Sequence, residues 1–138
     1  MSSDFCHLHL HTEYSMLDSL CRLDKLFEKA EKKGISTLAM TDHHNLSGAI
    51  KFYQLAQQYN IKPIIGVELN IESILDIESK NQYHLTVLAK NNLGYTNLLK
   101  LITRSNLDND GLVTREIFRE YRQGLIVLSG CSNSRSEE

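Results

Sequence analysis

The sequence predicts an α/β fold: a largely parallel sheet flanked by helices and carrying one antiparallel hairpin. Apolar strand-like runs alternate with amphipathic helical stripes, the connections between them are short, and one strand-to-strand connection carries no convincing helix. At 138 residues and 41% hydrophobic composition the chain is long enough for one domain with a core. Lys and Arg (15) nearly cancel Asp and Glu (17), and a net charge of -2 creates no field to draw in a polyanion. Any contact with nucleic acid must then be local or made by further sequence. No apolar run approaches the roughly 20 residues of a membrane span, and the N-terminus lacks a basic region leading into an apolar one. This reads as a cytoplasmic protein with no membrane partner. Cys6, Cys21 and Cys131 are odd in number and far apart, which argues against a disulfide framework.

Residues 5–11 alternate Phe5, His7, His9 and His11 with Cys6, Leu8 and Leu10, so a period of two places the three histidines on one face of a first strand. Leu23, Leu26, Phe27 and Ala30 then follow at helical spacing, with Glu28 four residues before Lys32 on the wet side and Gly34 as the stop. Residues 35–41 read as a short buried strand, ended by Asp42, His43, His44 and Asn45. Ser47 is the expected N-cap of a second helix with the stripe Ala49, Phe52, Tyr53 and Ala56, closed by Asn60. Residues 63–71 suit a strand covered on both faces. The polar stretch after it, with Glu72, Asp76, Glu78 and Lys80, is too poor a helix for a parallel crossover, so residues 83–89 return as the second arm of a hairpin. Tyr95, Leu98, Leu99 and Ile102 mark a third helix. Residues 106–111 form a loop, a short helix after Thr114 carries Ile117, Phe118 and Tyr121, and Gly124 opens a last strand over 125–128.

Sheets built from βα units carry their sites at the carboxyl ends of the strands, and the metal-type residues gather there. His9 and His11 close strand one, His43 follows strand two, Glu68 ends strand three, and Cys131 follows the last strand. The start of a hairpin's second arm lies beside the end of its first, which brings His84 next to Glu68. Asp18, in the loop after strand one, leans over the same rim. Bland readings exist for each: a His-x-His pair is often half exposed without an ion, Asp42-His43 can cap a helix, and a lone Cys131 is more often a small buried hydrophobe. Glu68 weighs against them, because a carboxylate closing an apolar strand needs a partner, either a metal or a Lys or Arg. Tyr14 and Met16 read as packing, and Lys25, Lys29, Lys32 and Lys33 as a solvated helix face. Asp108-Asn109-Asp110-Gly111 reads as a turn, since the acidic residue a calcium loop needs downstream is missing. The ligands outnumber the places on one tetrahedral ion. They imply a cluster of two or three divalent ions, zinc or manganese by donor type. Such a cluster suits phosphate-ester hydrolysis, in which one ion makes hydroxide from water and its neighbours clamp the attacking and leaving oxygens.

The phrases His7-Leu8-His9-Leu10-His11-Thr12, Thr41-Asp42-His43, Gly66-Val67-Glu68 and Ser129-Gly130-Cys131 resemble the motifs of the PHP (polymerase and histidinol phosphatase) superfamily. The longer wording narrows the match: residues 9–18, Asn45-Leu46 through Phe52-Tyr53, residues 61–66, and residues 84–91 with Gly94-Tyr95 and Asn97-Leu98. These are similar to the N-terminal PHP domains of bacterial DNA polymerase III alpha subunits. The resemblance implies part of a distorted (βα)7 TIM-like barrel with metal at one mouth. By position it makes His9, His11, Asp18, His43, Glu68, His84 and Cys131 the metal ligands, with His7 and Asp42 orienting them and no catalytic residue beyond the ligands. It implies a place in DNA-directed DNA synthesis, DNA as a partner of the whole polymerase, and contacts with the proofreading exonuclease subunit and other replicase subunits. Within that family the domain is either a metal-dependent phosphoesterase or 3′-5′ exonuclease site, or a non-catalytic dock for the proofreading subunit. A free-standing histidinol-phosphatase-type enzyme is the remaining alternative. The whole family barrel needs roughly twice this length, so residues 1–138 are expected to be the N-terminal portion of the domain, unable to polymerise DNA.

Overall fold

The computed structural model describes residues 5–73 and 82–129. Its elements run α1 (Leu23–Lys32), β1 (Thr37–His43), α2 (Ala49–Gln58), β2 (Lys62–Glu72), β3 (Gln82–Ala89), α3 (Asn92–Asp108), β4 (Leu112–Val113), α4 (Arg115–Tyr121) and β5 (Leu125–Leu128). β1 and β2 are parallel, in register from Thr37 opposite Lys62 to His43 opposite Glu68. β3 returns antiparallel along the other edge of β2, with Glu68 opposite Thr86 and Asn70 opposite His84, and β5 pairs antiparallel with β3. The hairpin expected from the sequence is therefore present; the connection between its arms lies largely outside the described residues. β4 was not expected. It lies beside Asn70 and Ile71, on the stretch of the β2 edge that β1 leaves open when it stops at His43.

One face of the sheet carries the core. Leu38 and Met40 of β1 pack with Leu23, Phe27 and Ala30 of α1 and Phe52 and Ala56 of α2. Val67, Leu69 and Ile71 of β2, with Val87 and Val113, pack against Leu98, Leu101 and Ile117 of α3 and α4. Each large side chain so enclosed contributes about 1.5–3 kcal/mol of transfer free energy. Strand alternation then sends His43, Glu68, Thr86 and His84 to the opposite face.

Several local expectations need correction. Residues 5–11 form no ladder strand: the chain bends at Leu8 and His9, and its backbone joins β1 through Leu10, whose carbonyl accepts from the Thr41 amide at 2.9 Å and whose amide donates to Thr41 Oγ1 at 2.8 Å. A hydroxyl has taken the place of the carbonyl that would continue a ladder. Gly48 rather than Ser47 precedes α2, without a side-chain cap; the Ser47 amide instead donates to Asn45 Oδ1 at 3.0 Å. Glu28 pairs with Lys25 rather than Lys32. The buried stripe of α3 is Gly94, Asn97, Leu98, Leu101 and Ser105, and Leu99 faces solvent. Small and polar residues let that helix sit close, which a reading based on large apolar residues could not register. α3 also reaches Asp108, well into the stretch read as a loop.

Candidate metal centre

Glu68 organises the site. Its side chain is 2% exposed at the end of the paired stretch of β1 and β2, yet both oxygens meet imidazoles. His9 Nε2 lies 3.0 Å and His84 Nδ1 3.4 Å from Oε1; His11 Nε2 lies 3.0 Å and His43 Nδ1 3.5 Å from Oε2. Asp18 comes in from the loop, 48% exposed, with its carboxylate 3.5 Å from His43 Nδ1.

Each approach has a local cause. The bonds that Leu10 makes with the amide and the hydroxyl of Thr41 fix the extended segment along β1, and residues on either side of Leu10 turn the same way, toward Glu68. His43 stands opposite Glu68 in register. His84 stands opposite Asn70, so it meets Glu68 along the diagonal that antiparallel neighbours share. The turn that carries Asp18 is anchored by Asp42. That fully buried carboxylate accepts from the Thr12 amide, from Thr12 Oγ1 at 2.7 Å and from Ser15 Oγ at 2.9 Å, and Ser15 Oγ accepts from the His43 amide at 2.9 Å.

His9 Nε2, His11 Nε2 and a Glu68 oxygen lie within 4.8 Å of one another. The His9–His11 nitrogen separation is 3.3 Å. A tetrahedral ion with bonds of about 2.1 Å has ligand edges of about 3.4 Å, so this donor set fits a divalent ion. His43, Asp18 and His84 lie next to it with further donors. The expected residues thus converge at one rim, with two exceptions. Cys131 lies outside the described residues. His7, placed by its period with His9 and His11, stacks edge-on against Phe5 at 4.7 Å and lines a groove with Leu26, Lys29 and Ala30 of α1, because the bend at Leu8 and His9 breaks the alternation. Met16 was read as packing but is 83% exposed; it borders an open cleft beside Asp18 and His43. Tyr14 does pack on the first core, its ring against Gly48, where an added Cβ would come within 2.6 Å.

Sequence reasoning missed Thr12 and Ser15, whose hydroxyls bind Asp42. His44 follows His43 at φ 53°, with Nε2 3.0 Å from Ser105 Oγ and Nδ1 buried without a partner. Burial pushes its pKa below the ordinary imidazole value, and the neighbouring His43 pushes it the same way. The missed signal was the pair Thr12 and Ser15 soon after the His-x-His, which loop chemistry alone would read as a turn.

Among described residues no helix is long and apolar enough to cross a membrane. Residues 7–137 match the family described as PHP domain. The chain is 43% identical over 138 residues to DNA polymerase III subunit alpha of Borreliella burgdorferi, covering 94% of this chain and 12% of that protein. It is 42% identical over 139 residues to the protein of the same name from Thermus aquaticus, covering 92% and 11%. The chain therefore spans about an eighth or less of the length of these relatives. Among solved structures, an amidohydrolase from Chromobacterium violaceum is similar with TM-score 0.55 at 19% identity, over 75% of this chain and 34% of that one. A protein from Bifidobacterium adolescentis assigned as a metal-dependent phosphoesterase gives a TM-score of 0.53 at 18% identity, over 72% of this chain and 32% of that one. With its α/β architecture, its hairpin and its histidine-rich rim, the chain belongs to the PHP domain family.

Proposed function

We propose that this domain is a metal-dependent phosphoesterase site that cleaves a phosphodiester, a 3′-5′ exonuclease-type reaction, within the alpha subunit of a bacterial replicative DNA polymerase. One observation carries the reading: a carboxylate 2% exposed faces four imidazoles within 3.5 Å, an arrangement too rich in donors for a structural ion pair. His9, His11 and Glu68 would hold one ion, and Asp18, His43 and His84 would extend the set to two or three, with zinc or manganese suited to the mixture. Cys131 is proposed as a thiolate ligand from beyond the described residues. Bound divalent ions supply Lewis acidity toward a phosphoryl oxygen and lower the pKa of water. Glu68 and Asp18 neutralise the positive charge at the rim, Asp42 keeps the turn bearing Asp18 in place, and the cleft beside His43 leaves room for the ester. The resemblance to polymerase alpha subunits supports DNA, the proofreading exonuclease subunit and other replicase subunits as partners, with DNA synthesis a property of the longer protein and a bacterial cytoplasm as the setting.

A non-catalytic docking role is the second reading. The groove between α2 and α3 supports it, since Ile50 and Tyr53 are exposed there beside Ile65 and Tyr95, away from the metal-type residues.

Metal analysis and a 3′-5′ nuclease assay on single-stranded DNA, run on the chain and on the full-length polymerase subunit, test the proposal. His9→Ala and Glu68→Ala should each remove bound metal and lower cleavage by at least about 100-fold, the size of effect expected when a metal ligand is lost. Cleavage that survives both substitutions removes the catalytic reading and leaves the docking one.

A further inference from the structure

Thr86 stands directly opposite Glu68 in the β2–β3 register, so the two side chains rise from the same sheet face on adjacent strands. Thr86 is fully buried, and its hydroxyl has no hydrogen-bond partner. An orphaned hydroxyl is destabilising, and valine would fill the same volume in a strand without that penalty. On the side away from the rim its neighbours are Gly66 and Leu88, packed so closely that a Cβ on Gly66 would come within 2.6 Å of the Leu88 side chain, so no polar group there accounts for the hydroxyl.

The reason lies across the register. When His9 and His11 direct their Nε2 lone pairs at an ion, those nitrogens cannot also donate protons to Glu68. A bound carboxylate keeps lone pairs that the ion does not use, and a neighbouring hydroxyl can donate to one of them. Thr86 Oγ1 is the hydroxyl at the paired position of the adjacent strand, on the same sheet face as Glu68. We propose that Thr86 is a positioning residue of the metal centre, its hydroxyl donating to the Glu68 carboxylate when the histidines hold a divalent ion. This rests on the metal-binding reading above.

The test is a Co(II) titration of the chain and of Thr86→Val and Thr86→Ser, followed by the visible bands of the ion, with thermal melts in chelator. Thr86→Val should bind Co(II) about 10-fold more weakly or worse, the lower end for losing a partner behind a ligand. Its bands should shift, and in chelator it should melt no lower than the parent. Thr86→Ser should bring affinity and bands back toward the parent. Unchanged affinity and bands in Thr86→Val overturn the proposal and leave the metal centre standing; a parent chain that binds no Co(II) overturns both. If Thr86→Val melts well below the parent, the serine variant decides. Binding like the parent supports the proposal, and weak binding despite a parent-like melt overturns it.

Discussion

Asp42 is buried completely at the end of β1, and the Thr12 amide and the hydroxyls of Thr12 and Ser15 all donate to it. Removing it strands three donors in a space closed to water, each worth about 1–3 kcal/mol when left unpaired. Asp42→Ala should therefore lower the unfolding free energy by about 3 kcal/mol or more, measured by urea denaturation, with Asp42→Asn losing less because one acceptor oxygen stays. A loss under about 1 kcal/mol would show that the turn is held by something else. Cys21 gives a pH-dependent test. Burial raises its thiol pKa from 9.0, and the negative charges of Asp42 and Glu13 raise it further. The folded state thus favours the protonated thiol, and alkylation by iodoacetamide, followed by peptide mass spectrometry, should reach half its maximal rate above pH 9.0. A midpoint at or below that value contradicts the burial. At this scale the metal-type side chains were legible as residue types that converge on one rim, though His9 and His11 reach it from an extended segment and not from a strand end. The hydroxyls serving Asp42 were not, because serine and threonine in a loop look alike whether they face water or a buried carboxylate.

At the level of elements, α3 shows how a helix is placed by what it lacks. Asn91 caps it by accepting from the Gly94 amide at 3.0 Å, and Gly94 passes so close to the Gly124 carbonyl that a Cβ there would overlap it. Gly124 itself has φ 78°, a left-handed conformation that glycine adopts without strain. Gly94→Ala must push α3 off the start of β5, and a destabilisation of about 1–3 kcal/mol or more is expected from such overpacking. Thermal melting checks it; a variant as stable as the parent would mean that the helix can slide freely. Amphipathic spacing revealed α1, α2 and α4, and Thr114 caps α4 as its sequence position suggests, accepting from the Ile117 amide at 3.3 Å. Of the expected α3 stripe, Leu98, Tyr95 and Ile102 do pack against the cores and Leu99 does not, and the close approach made by Gly94 and Ser105 went unread because those residues carry no hydropathy signal.

For the whole molecule the sheet edge matters most. Among described residues β5 pairs with β3 alone, and Ile126 and Val127 are 45% and 46% exposed with no lysine or proline in the strand to discourage pairing. Edge strands of this kind template association. Sedimentation of the chain should show mass rising with concentration, and Val127→Lys should suppress it. A monomer across the whole concentration range would mean that the edge is covered.

The helices, the strands from β1 onward apart from β4, the hairpin and the gathering of histidines and acids at one rim follow from the sequence, because period, polarity and connection length are local properties that neighbouring residues carry by themselves. Which imidazole meets which oxygen of Glu68, the departure of His7 from that group, the short strand β4 and the orphaned hydroxyl of Thr86 were decided by tertiary structure. Those depend on strand register and on a bend at Leu8 and His9, and both are settled only when distant segments compete for the same hydrogen bonds and the same space.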